Sequence, residues 1–195
     1  MPFKLPKIVP QKDVSRMLKG INKNCPTGVR NYAILIVLYR AGLRVSEVCN
    51  LSLQDVNFEN GLIYIQQAKG KKDRYVPMDN DIIKTAQEWL AIRPESNYFF
   101  CTLEGGQLDV RYVREVCYRL SMKAGVFIQD GQEKKKVSPH KFRHSFASEL
   151  LKEGFNIREV QETLGHENVN TTMIYTHVVM DEIQEKIKKR KGISQ

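Results

Sequence analysis

Apolar positions recur along this chain with two alternating periods, and together they predict helices surrounding one small sheet. Residues 11–19 suit a short helix after a lead-in, residues 1–10, that carries three prolines and reads as extended or linker-like. Residues 29–41 hold Tyr32, Ile34, Leu35, Val37 and Leu38, apolar on nearly all sides, as expected of a buried helix. Gly42 is a suitable stop for it, Arg44 lies in the turn that follows, and Ser46 is the expected cap of a short next helix. A period of two then takes over. Residues 55–58 and 62–66 flank Asn60-Gly61, a dipeptide suited to a tight hairpin, and a third run covers 74–78. These predict a three-stranded antiparallel sheet with Lys69 and Gly70 at its second turn.

Helical spacing returns with Ile82, Ala86, Trp89 and Leu90 on one face, ended by Pro94. Val110, Val113, Cys117, Leu120 and Ala124 line a further helix capped by Asp109, with Arg111, Arg114, Arg119 and Lys123 over its remaining surface. Residues 125–137, with Asp130-Gly131 and the run Lys134-Lys135-Lys136, read as a loop. Ser138-Pro139 opens a helix to about Lys152, with Ser at the cap and Pro at the first helical position. Asn156 and Glu159 form a capping-box pair for a short helix closed by Gly165, which leaves His166 just beyond it. Asn170 can cap another turn carrying Tyr175. Val179, Ile183 and Ile187 then make an apolar stripe on a lysine-rich tail, residues 179–195. The fold class expected is mainly α with a small antiparallel sheet (α+β), in one domain spanning 11–178.

The chain has 195 residues, enough for one well-packed domain and few for two. Its net charge of +9 favours a polyanionic partner, either nucleic acid or an anionic membrane surface. The longest apolar run, 33–39, is far short of the ~20 residues a bilayer requires. No apolar segment follows Lys4 and Lys7 to make a secretory signal. The four cysteines contain no C-x-x-C pair, which fits reduced thiols, no zinc site and a cytoplasmic protein.

Taken singly, the chemically interesting residues have ordinary explanations. His140 and Arg143 share a face in the first turns of a helix, where an anion is attracted, but a surface His and Arg look the same. Arg44 with Glu47 can be a local ion pair, Lys69 a turn lysine, and Tyr175 a core residue with its hydroxyl at the edge. Read together, residues 44, 69, 140, 143, 166 and 175 supply two guanidiniums, an ammonium, two imidazoles and a phenol. There is no carboxylate cluster for a two-metal nuclease and no G-x-x-x-x-G-K-[ST] loop for a nucleotide. Cations without metal ligands suit phosphoryl transfer by charge stabilisation, with a side chain as nucleophile.

Five stretches in register carry a resemblance. They are Ala41-Gly42-Leu43-Arg44-Val45-Ser46-Glu47, then Lys69-Gly70-Lys71-Lys72-Asp73-Arg74 before Val76-Pro77, then His140-Lys141-Phe142-Arg143-His144-Ser145-Phe146-Ala147, then Leu164-Gly165-His166, and finally Thr172-Met173-Ile174-Tyr175-Thr176-His177. In order and spacing, from about residue 5 to residue 189, the chain resembles the catalytic domain of the tyrosine site-specific recombinases, or phage-type integrases. The resemblance implies cleavage and rejoining of double-stranded DNA through a 3′-phosphotyrosine at Tyr175, with neither metal nor ATP nor another cofactor. It implies that Arg44 and Arg143 clamp the phosphate and that Lys69 protonates the leaving 5′-oxygen. His140 would act as base or proton acceptor, and His166 would bind a phosphate oxygen. Glu47 would orient Arg44 and His140, while His144 and His177 would be supporting or structural. It also implies dimers or tetramers on DNA, with a partner recombinase as a further candidate, a tail docking on a neighbouring protomer, and a nucleoid-associated location. The family's N-terminal DNA-clasping domain has no counterpart in these residues, and the proline-rich start is similar to the linker that follows it. Two rivals stay open: relaxation of DNA in the manner of a type IB topoisomerase, and a catalytically silent DNA-binding module.

Overall fold

The computed structural model describes residues 7–66 and 73–165. Its organising element is α2 (Pro26–Arg40), preceded by α1 (Gln11–Lys19). Helix α2 begins with Pro26 at its first position, three residues before the apolar run suggests, because a proline there lacks only an N–H that the first turn cannot use. Every residue from Ala33 to Tyr39 is buried, and helices α4 (Asn80–Leu90) and α6 (Pro139–Lys152) pack against it. The lead-in is described from residue 7, and Val9 is fully buried, its N–H donating to Ser145 Oγ of α6 at 2.8 Å.

The turn after α2 brings Gly42 against α6. Its φ is +61°, and a Cβ placed there would lie 2.3 Å from Phe146 Cδ1, so glycine is required both by conformation and by space. Helix α3 (Val45–Asn50) follows. Its cap is Arg44 rather than Ser46: the chain turns two residues earlier, because the Glu47 carboxylate reaches back to the Arg44 N–H at 2.7 Å.

Strands β1 (Val56–Asn57), β2 (Leu62–Ile65) and β3 (Arg74–Pro77) form the expected antiparallel sheet in that order. Asn57 pairs with Leu62, so the first hairpin has a four-residue loop and not a two-residue turn at Asn60-Gly61. A 3-10 turn over Leu53–Asp55 takes Asp55 from the expected first strand, and Phe58 falls in the hairpin loop. Burial alternates as a one-sided sheet requires: Ile63, Ile65 and Val76 face the core while Tyr75 is exposed. Arg74 takes an inward position beside Val76.

In α4, capped by Asp79, Ile82, Ala86 and Trp89 face inward as expected. Leu90 does not: it ends the helix and is exposed. Helix α5 (Val110–Lys123), capped by Asp109, buries Val113 and Cys117 and exposes Arg111, Arg114, Arg119 and Lys123. The segment read as a loop is a hairpin of β4 (Phe127–Asp130) and β5 (Glu133–Lys136). Its two-residue turn, Gly131-Gln132, comes from the glycine noted in the sequence, whereas β5 is exposed throughout and shows no alternation. Helix α7 (Ile157–Leu164), with the predicted Asn156–Glu159 capping box and a left-handed Gly165, packs on α6 and β3. Phe146, Ala147, Leu151, Val160 and Leu164 make a small second core between α6 and α7. Among the described residues no helix is long and apolar enough to cross a membrane.

Candidate active site

Four segments distant in sequence meet where the α2–α3 turn, β3, α6 and the end of α7 converge. Glu47 is the common anion. Arg74 donates to both of its oxygens, at 2.9 Å and 2.8 Å, and Arg44 Nη1 donates to Oε1 at 2.8 Å. Arg143 Nη1 stands 4.0 Å from Oε2. Burial pushes the Glu47 carboxyl upward, but the Arg74 hydrogen bonds and charge, the Arg44 N–H and the Arg143 charge outweigh it and hold the group below its ordinary range.

The arginines are fixed from a second side by the C-terminal end of α7. Arg74 Nε donates to Thr163 O at 3.0 Å, Arg143 Nη2 to Leu164 O at 2.5 Å and Arg44 Nη2 to Gly165 O at 3.2 Å. Three consecutive carbonyls thus each receive one guanidinium. The last carbonyls of a helix lack intrahelical donors and sit at the negative end of its dipole, which is why cations settle there. Arg143 is almost completely buried and also donates to Gly42 O at 2.7 Å, whereas the Arg44 side chain keeps 37% of its surface exposed. Arg44 therefore meets solvent, and Arg143 forms the wall behind it.

In front of this group lies a cleft of about 420 Å³ lined by Arg44, Ser46, Arg114, Tyr118, His140 and Arg143. His140 stands in the first turn of α6, where Ser138 takes the cap position without a side-chain cap bond. Its ring meets the His144 ring edge-on at 4.5 Å. Crowding by surrounding atoms and the charges of Arg143, Lys141 and Arg44 lower its pKa, so the imidazole is neutral at pH 7 and can accept a proton. With Glu47 engaged by arginines, the cleft presents cationic groups and a neutral base, a setting for an anionic phosphodiester.

Of the residues singled out in the sequence, the structure brings Arg44, His140 and Arg143 to one cleft and puts Glu47 behind it. Among the described residues Glu47 is engaged by Arg44, Arg74 and Arg143, and the His140 ring packs against His144. Lys69, His166 and Tyr175, like the tail from 179, lie outside the described residues. Arg74 belongs to the second motif stretch, for which the resemblance implies a role at Lys69 only. A signal existed: positions 74 and 76 share a face of β3, so an arginine facing inward with Val76 needs an acidic partner.

The family model described as "Phage integrase family" matches residues 7–182. Tyrosine recombinase XerA of Thermococcus kodakarensis is 41% identical over 197 residues, covering 99% of this chain and 66% of that protein. Tyrosine recombinase XerC of Halalkalibacterium halodurans is 36% identical over 193 residues, covering 93% of this chain and 61% of that protein. The chain thus spans less than two thirds of the length of these relatives. The crystal structure of XerA recombinase superposes with a TM-score of 0.79 at 31% identity, over 97% of this chain and 68% of that one. XerH site-specific recombinase bound to difH substrate in a pre-cleavage complex gives 0.73 at 28% identity, over 93% of this chain and 53% of that one. Fold, motifs and family model agree, and the chain belongs to the phage integrase family.

Proposed function

We propose that this chain is the catalytic part of a site-specific recombinase that cuts and rejoins double-stranded DNA through Tyr175. The observation that carries the reading is the cleft in which Arg44, Arg143 and a neutral His140 converge. The relatives' names add to it, since the curated ones are tyrosine recombinases and XerH is bound to its difH substrate. The Tyr175 phenol oxygen attacks the scissile phosphorus, the bond to the 5′-oxygen breaks, and a 3′-phosphotyrosine forms. The phenol proton passes to His140, and Lys69 supplies the proton that the 5′-oxygen takes up. Arg44 and Arg143 hold the non-bridging oxygens as charge builds, and His166 adds a hydrogen bond. Loss of either guanidinium should slow cleavage on the order of 10²-fold or more. Attack by another strand's 5′-hydroxyl reverses the chemistry and yields recombinant DNA.

Recombination joins two sites, so the working form is a dimer or tetramer on DNA. A second cleft, of about 280 Å³ between α6, α7 and the end of β3, is lined by Phe146, Leu150 and Phe155, by Glu149 and Glu153, and by the Arg40–Asp79 ion pair. That mixture complements a tail whose Val179, Ile183 and Ile187 stripe runs among lysines, and it supports docking of residues 179–195 on a neighbouring protomer.

The test is covalent trapping. Labelled duplexes nicked near candidate sites, without magnesium, are run on denaturing gels beside Tyr175→Phe. The expected result is a protein-sized adduct that the variant does not form. Salt-sensitive binding with no adduct from the wild type on any duplex would favour a silent DNA-binding module.

A further inference from the structure

We propose that Arg74 is a positioning residue for strand cleavage: it locks Glu47 and the end of α7 together, and so sets the two phosphate-facing arginines. This deepens the recombinase reading and rests on it. Arg74 is unusual for a strand residue. Its side chain is only 7% exposed, it faces the core beside Val76, and all three of its nitrogens donate: two to Glu47 and Nε to Thr163 O. Each partner leads to the cleft. Glu47 holds the Arg44 guanidinium and backbone N–H. Thr163 precedes the two carbonyls that hold Arg143 and Arg44.

The three arginines come from three elements, and the carbonyl row they share comes from a fourth. Without Arg74 the Glu47 carboxylate would keep Arg44 on one side but lose its anchor in the sheet. The α7 end would keep two ties of three. Arg44, the most exposed of the group, would then drift from the direction in which it meets the cleft. Arg74 itself is absent from the cleft lining and has no route to a bound phosphate, so its effect passes through its neighbours. Arg74 also opens β3, so one guanidinium ties that strand to α3 and α7.

The test uses the full chain with Arg74→Met and Arg74→Lys beside wild type. Lysine keeps the charge but cannot span both Glu47 oxygens and the Thr163 carbonyl, so it should restore the wild-type behaviour only in part. In a DNA-free arm, NMR on arginine-labelled protein follows rotation of the Arg44 and Arg143 guanidiniums about Nε–Cζ. Faster rotation in Arg74→Met, with backbone signals of α2 unchanged, is expected; unchanged rotation overturns the proposal. In a DNA arm, adduct formation is timed on a nicked duplex carrying either a phosphodiester or an uncharged methylphosphonate at the cleaved link. Arg74→Met should be slower by about 10- to 100-fold on the phosphodiester and within about threefold of wild type on the methylphosphonate, which needs less cationic stabilisation. No slowing on the phosphodiester, or equal slowing on both links, overturns it. If the wild type leaves no adduct on any duplex, the recombinase reading fails by itself, and the guanidinium arm alone decides whether Arg74 sets the other two.

Discussion

Replacing Glu47 by glutamine should cost this protein a large part of its stability. The side chain is 11% exposed and faces Arg74 and Arg143, which are 7% and 5% exposed. Neutralising the carboxylate leaves two guanidiniums in a poorly hydrated site, with an amide that offers one acceptor where there were two. Removing one partner of a buried pair costs about 3–5 kcal/mol, while the exposed Arg44 pair adds under about 1 kcal/mol. For a domain of this size 1 kcal/mol moves the melting temperature by about 2–4 °C, so the expected fall is about 6–24 °C at pH 7. The pH dependence gives a second check. Glu47 is held below its ordinary value in the fold, so its contribution is complete above the unfolded carboxyl's pKa of about 4.3 and disappears as pH falls through the lower folded value. Wild type and Glu47→Gln should therefore converge in acid. Thermal melts followed by circular dichroism between pH 3 and 7 measure both effects. A Glu47→Gln melting point within about 2 °C of wild type at pH 7 would show that the arginines need no central anion.

Gly42→Ala combines a left-handed backbone with the 2.3 Å approach to Phe146, and should lose about 2–5 kcal/mol in chemical denaturation; wild-type stability would refute the close packing of that turn. Burial, together with His140, Lys141 and Arg143, pushes the His144 imidazole down to about 4. Protonation therefore opposes the fold: this share of stability is full above the ordinary histidine value near 6.5 and is lost as pH falls toward 4. An NMR titration of His144 tests it, and a midpoint near 6.5 would be the wrong answer for the packing described. Deleting residues 180–195 should weaken assembly on DNA and leave the melting curve in place; an unchanged stoichiometry of the complex in native gels would count against docking of the tail.

The helices were legible in the sequence because each carries its own signal: the unbroken apolar run of α2, the Asp79 and Asp109 caps, Pro139 after Ser138, and the Asn156–Glu159 box. The three-stranded sheet was legible for the same reason, since alternation in β2 and β3 is local. So were Arg44, His140 and Arg143, whose spacing within motifs survives without coordinates. What failed were features with no local signal. The β4–β5 hairpin hides in charged residues because it buries little. Leu90 fits the helical stripe yet emerges at the helix end. The cap of α3 moved to Arg44 because Glu47 reached back to its N–H. The tertiary structure alone decided the partners of charge. Residues 44, 47, 74, 143 and 163–165 belong to four elements, and only when these pack does one carboxylate find three guanidiniums and one helix end receive all of them. Periodicity reports which face of an element is buried, but it does not reveal which distant group will neutralise a buried charge, because that choice is made by the packing of elements far apart in the chain.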